Sequence, residues 1–100
     1  MKLYAIRRPN AWANAQELEA AAGKSARIGN DEMADRVRWI RSYVVEELDG
    51  RLGTICIYQA ADPESIREHA RRVGMPGEEF YPVEATVVIR EDPADKSAAA

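Results

Sequence analysis

Val37-Arg38-Trp39-Ile40-Arg41-Ser42-Tyr43-Val44-Val45-Glu46 runs into the turn Leu48-Asp49-Gly50-Arg51 and returns as Gly53-Thr54-Ile55-Cys56-Ile57-Tyr58-Gln59. Both runs are rich in the β-branched and aromatic residues that suit a pleated, half-buried surface. Asp-Gly between them is a favoured hairpin turn, because glycine reaches positive φ without steric cost. The stretch predicts two antiparallel strands, and the rest of the fold is read outward from them.

Upstream, Lys2 to Arg8 alternates Leu3, Ala5 and Arg7 against Tyr4, Ile6 and Arg8 until Pro9 removes a ladder donor, which predicts a first strand. Asn14 followed by Glu17 is a capping pair that opens a first helix. Its inward stripe is Leu18, Ala21, Ala22 and Ser25, small residues that allow close approach to a sheet, and Gly29-Asn30 supplies a stop. Downstream, Asp62-Pro63-Glu64 opens a second helix with Ile66, Ala70 and Val73 inward, and Gly74 and Pro76 close it. Val83 to Arg90 alternates again and predicts the last strand. The order β-α-β-β-α-β with right-handed crossovers implies an α+β, ferredoxin-like sandwich: a four-stranded antiparallel sheet with two helices on one face.

A chain of 100 residues, 46% hydrophobic and 31% charged, is one folding unit with an ordinary core. We expect a single domain over residues 1–92 and a frayed tail over 93–100. A net charge of -3, from 14 basic and 17 acidic residues, opposes a nucleic-acid role, since phosphate binding relies on clustered Lys and Arg. Apolar runs fall short of the roughly 20 residues that span a bilayer, and Met1-Lys2-Leu3 leads straight into patterned sequence, so the expectation is a cytoplasmic protein with no membrane partner. The single cysteine, Cys56, excludes an internal disulfide.

Both faces of the hairpin are apolar, yet two helices can shield only one of them. A second subunit or a sheltered ligand should cover the open face, which predicts a homodimer. Trp39, Arg41 and Tyr43 with Cys56 and Tyr58 are candidates for one ligand-binding pocket, provided the strand register holds. The plainer reading makes the aromatics the dimer-facing half of the core. His69, the lone histidine, is a candidate proton carrier or metal ligand, against the plainer role of a helix histidine bonded to a carboxylate such as Glu64, Glu68 or a neighbour in space. Cys56 reads first as a small buried hydrophobe, and Arg67, Arg71 and Arg72 as a solvated face.

Three blocks, Trp39 to Val44, Cys56 to Ala60 and Asp62 to Arg72, resemble the nickel-binding-protein-like family of small ferredoxin-like proteins. The resemblance extends from Tyr4 through Ile89. It implies the same fold, a dimer built through the sheets, and a site for nickel or another divalent metal to which His69 would contribute. One departure is Arg41, which stands where relatives carry a histidine, and a guanidinium cannot ligate a cation.

The leading expectation is a dimeric protein that binds a small ligand or a nickel-like divalent metal on its open sheet face. The alternative is a small dimeric α/β-barrel-type enzyme, resembling monooxygenases, cyclases or isomerases, acting on an anionic organic substrate. There Arg41 would hold the anion, Tyr43 or Tyr58 would donate a hydrogen bond, and His69 would serve as general base. An interaction protein without ligand is the third reading.

Overall fold

The structure, a computed structural model, describes residues 1–94. Its elements are β1 (Lys2–Trp12), α1 (Ala15–Arg27), β2 (Val37–Glu46), β3 (Leu52–Ala60), α2 (Pro63–Val73) and β4 (Glu79–Pro82). The four strands form one antiparallel sheet in the order β2-β3-β1-β4. This is the ferredoxin-like α+β arrangement expected. Tyr4, Ile6, Cys56, Tyr58 and Ala60 point from the sheet into a core closed by Ile66 and Val73 of α2 and by Ile28 and Met33. Of the tail expected from residue 93, positions 95–100 lie outside the described residues.

Local signals explain the boundaries. The Asn14 side chain accepts the Glu17 amide at 3.0 Å, meeting a free helix-end donor, while the Glu17 carboxylate accepts the Ala13 amide just ahead of the cap at 2.9 Å. Asp62 caps α2 by accepting from the Ser65 amide at 2.8 Å and from its hydroxyl at 2.7 Å. Gly74, at φ 85°, ends that helix with its amide donating to the Ala70 carbonyl. Gly50 takes the same φ in the hairpin turn.

Four departures from the sequence-based expectation have physical causes. First, α1 does not stop at Gly29-Asn30; it passes into a π-helical turn, Ile28–Glu32, which buries Ile28 against Met33. Second, β1 runs past Pro9 because the β1–β3 pairing is irregular between Arg8 and Trp12, so the missing Pro9 amide falls where the ladder is already interrupted. Asn10 adopts φ 53° there, a conformation asparagine tolerates.

Third, the last strand is Glu79–Pro82, not Val83 to Arg90. Tyr4 pairs with Pro82 and Arg7 with Glu79, so the antiparallel chain reaches the start of β1 at Val83, whose amide donates to the Leu3 carbonyl at 2.9 Å. Beyond that point no length of β1 remains to pair with. Val87 and Ile89 are left exposed although their pattern suits a strand.

Fourth, β2 carries a bulge. Trp39 pairs with Tyr58 and Arg41 with Ile57, so Ile40 is an extra residue without an opposite number. Its insertion reverses the alternation, placing Val37, Trp39, Ser42 and Val44 on the helix-covered face and Arg41, Tyr43 and Val45 on the open face.

Candidate functional site

A cavity of about 300 Å³ lies between the helix-covered face of the sheet and α1. Its floor comes from Arg8 of β1, from Thr54, Cys56 and Tyr58 of β3, and from Trp39 and Ser42 of β2. Leu18, Ala21, Ala22 and Ser25 of α1 form the roof, and Trp12 and Met75 add to the walls. The small-residue stripe accounts for the space. Of α1 only Ser25 is fully buried, so Ala21 and Ala22 leave a gap above the sheet instead of filling it.

The walls are mainly apolar, with a few polar groups converging. Trp39 stacks on Tyr58 with ring centroids 5.9 Å apart, and its indole Nε1 donates to Ser42 Oγ at 2.8 Å. Tyr58 Oη and Ser25 Oγ share a hydrogen bond of 2.8 Å. Burial pushes the Tyr58 phenol above its ordinary value, and the Ser25 bond and the Arg8 charge oppose that only in part. Cys56 Sγ donates to Thr54 Oγ1 at 3.2 Å.

His69 stands behind Tyr58, with ring centroids 5.4 Å apart, and its Nε2 donates to the Ser25 carbonyl at 3.1 Å. Burial lowers its pKa below the ordinary value against the opposing pull of the Ser25 carbonyl bond, and the charges of Arg8 and Arg72 add to the lowering. The ring is therefore a neutral core histidine bonded to a backbone carbonyl, not to Glu64 or Glu68.

Arg8 is the unusual member of the lining. It is 1% exposed, and its guanidinium lies 5.9 Å from the Tyr58 ring centroid. One Nη1 bond reaches the Pro76 carbonyl, but Nε has no hydrogen-bond partner. Among the described residues no carboxylate stands within ion-pair reach of it.

Of the candidates named from sequence, Trp39, Cys56 and Tyr58 do share the cavity and His69 is adjacent. Arg41 and Tyr43 do not. The bulge at Ile40 turns them to the other side of the sheet, where Arg41 pairs with Ile57 and Tyr43 with Ile55. There the Tyr43 hydroxyl donates to Asp92 Oδ2 at 2.8 Å, which raises the phenol's pKa, and Arg41 lies 3.9 Å from the same carboxylate. With Val87 and Ile89 they border a shallow cleft of about 230 Å³. The expected pocket is thus divided by the sheet, and Arg41 and His69 do not meet at one point as the enzyme reading requires.

Arg71 and Arg72 on α2 are bound to Glu64 and Glu68 along the outer face, as a solvated face would be. Arg8 and Trp12 are not among the site residues the sequence points to, and Ser25 enters there only as part of the inward stripe of α1. The signal was present for Arg8, which alternates in phase with Tyr4 and Ile6 on an inward face.

The set of metal donors is thin. Among the described residues no group of three His, Cys, Asp or Glu side chains comes together to hold a metal ion. Cys56 and His69 are both buried and engaged, and the permanent cation Arg8 lies on the same side of the sheet. These residues do not fit a nickel site within one subunit.

Residues 4–83 match the model of a protein family described as nickel responsive protein SCO4226-like. The chain belongs to this family. The crystal structure of SCO4226 from Streptomyces coelicolor A3(2) superposes on this family member with a TM-score of 0.67 at 15% identity, covering 85% of this chain and 99% of that one. At that identity the likeness establishes the fold alone. No curated protein matches the sequence. Among the described residues of this SCO4226-like protein, no helix is long and apolar enough to cross a membrane.

Proposed function

We propose that this SCO4226-like protein is a homodimeric, non-enzymatic binding protein that takes a small organic ligand into the cleft between its sheet and α1. The observation that carries the reading is the cavity of about 300 Å³, at the small end of the range of small-molecule sites. It has aromatic walls in Trp12, Trp39 and Tyr58 and a few polar groups able to fix orientation. The ligand site expected on the open face thereby moves to the covered one. An organic ligand is favoured over nickel because the buried groups are engaged with protein partners and lack a third metal donor.

Dimerisation draws support from the open face, where Ile55 is 38% exposed beside Ile57, and from the unpaired Val87 and Ile89, which are 83% exposed. Light scattering should give twice the chain mass of 11.2 kDa, and Ile55→Lys should shift it toward one.

Thermal-shift screening against small aromatic and aliphatic compounds tests the ligand reading. Compounds that raise the melting temperature of the wild type should lose that effect in Ala22→Phe, which puts a ring into the cavity roof. A screen in which the two proteins respond alike would remove the cavity as the site. Calorimetric titration of tag-free protein with nickel should give negligible heat in both wild type and His69→Ala. Strong heat lost in the variant would restore a metal role.

A further inference from the structure

A buried arginine facing an apolar cavity states something about what the cavity receives. Desolvating a guanidinium carries a large cost unless an opposite charge or a full set of acceptors offsets it. Arg8 has one carbonyl acceptor, Pro76, and the face of Tyr58, while Nε is left without a partner. A fork of donors in a fixed plane is the usual means of holding a carboxylate or similar acid group. Glu19, the one carboxylate of the lining, sits on an exposed position of α1 at the mouth, whereas Arg8 is at the buried end. The cavity is thus polarised along its depth.

We infer that the cavity takes an amphipathic organic anion, with its acid group on the Arg8 guanidinium and its aromatic or aliphatic body between Trp39, Trp12 and the small residues of α1. The assignment rests on the proposed ligand site and deepens it. The Tyr58 hydroxyl and the Cys56–Thr54 pair stand on the same floor and supply the remaining polar contacts, and Ala21 and Ala22 leave space for the ligand body.

Because Arg8 also ties down the Pro76 carbonyl, it has a structural role that must be separated from ligand recognition. The probes are 4-phenylbutyrate and its neutral amide, 4-phenylbutyramide, which have nearly the same shape. The readout is emission from Trp12 and Trp39, the chain's only tryptophans, both in the cavity wall. In the wild type the acid should bind about tenfold tighter than the amide or better, as a charge-assisted pair implies. Arg8→Met should bring the two affinities together, and Arg8→Lys should retain part of the preference. Ala22→Phe should weaken both.

If Arg8→Met fails to fold, the comparison of acid and amide on the wild type alone still decides. Equal wild-type affinities, both lost in Ala22→Phe, would overturn the anion while leaving the cavity as a ligand site. A preference for the acid that survives Arg8→Met in a folded protein would overturn the role of Arg8. No response to either compound up to its solubility limit, or binding unchanged in Ala22→Phe, would overturn this inference and the proposed site together.

Discussion

Trp39 lies on Tyr58 with the two ring planes only 8° apart, immediately beside the bulge where Ile40, next in the chain, has no partner on β3. Were Ile40 paired regularly after Trp39, the alternation would carry Arg41 and Tyr43 to the helix side as well. The stack is at once the cavity's aromatic wall and the place where the strand changes phase.

Removing the ring tests that wall. Trp39→Ala should destabilise the fold by about 2 kcal/mol, combining lost apolar burial with a lost aromatic pair. Urea unfolding measures it, and Trp39→Phe should recover a good part. A loss near zero would mean the ring contributes no packing.

The buried histidine gives a pH signature. The folded protein holds His69 neutral below its ordinary pKa of 6.5, whereas the unfolded chain protonates near that value. Stability is then complete above about pH 6.5 and falls as pH drops through it, until the folded ring itself titrates. The carboxylates Asp62, Glu47 and Glu68, all held below their usual ranges, contribute in more acidic solution. Urea midpoints between about pH 7.5 and 5.5 should therefore decline more steeply in wild type than in His69→Gln, whose amide still donates to the Ser25 carbonyl. Parallel profiles would contradict the buried neutral ring.

The α2 cap has a predictable cost. Asp62→Ala leaves the Ser65 amide without its acceptor and should lower stability by about 1 kcal/mol, with Asp62→Asn losing less. Bonds from the Ser65 hydroxyl and amide hold the carboxyl below its ordinary 3.8, so the advantage over Asp62→Asn should fade as pH falls through that value. Denaturant midpoints for the three proteins at neutral and acid pH check both statements.

Gly53 is required by space, not by its dihedral angles. A methyl group added there would press on Glu47 Oε2 and lie 2.7 Å from the Arg8 carbonyl oxygen, which belongs to the sheet and cannot yield. Glu47 would be displaced from Arg7, to which it is bound at 2.8 Å through both oxygens. Gly53→Ala should destabilise by about 2 kcal/mol in equilibrium unfolding. An unchanged midpoint would show that the strand shifts freely.

Signals that act within one or two turns of chain were legible beforehand. Asn14 with Glu17, Asp49-Gly50, Asp62-Pro63 and Gly74 each specify a bond or a dihedral angle their own neighbours satisfy, and the βαββαβ order follows from placing them. The resemblance carried by Trp39 to Val44, Cys56 to Ala60 and Asp62 to Arg72 is matched by membership of the SCO4226-like family. Arg8 was readable as inward-facing beside Tyr4 and Ile6, but nothing adjacent in sequence announces that its Nε would lack a partner.

By itself, then, the order of residues determined where the two helices and the hairpin begin, because caps, turns and periodicity are short-range properties. Only the tertiary structure decided which residues meet. A strand's facing depends on its partner's register, so the Ile40 bulge parted Arg41 and Tyr43 from Cys56 and Tyr58. An extended segment becomes a strand only beside a free edge, so Val83 to Arg90 outran β1. A stripe of small residues closes a gap or leaves one according to how a helix seats, and here it left the cavity above Arg8.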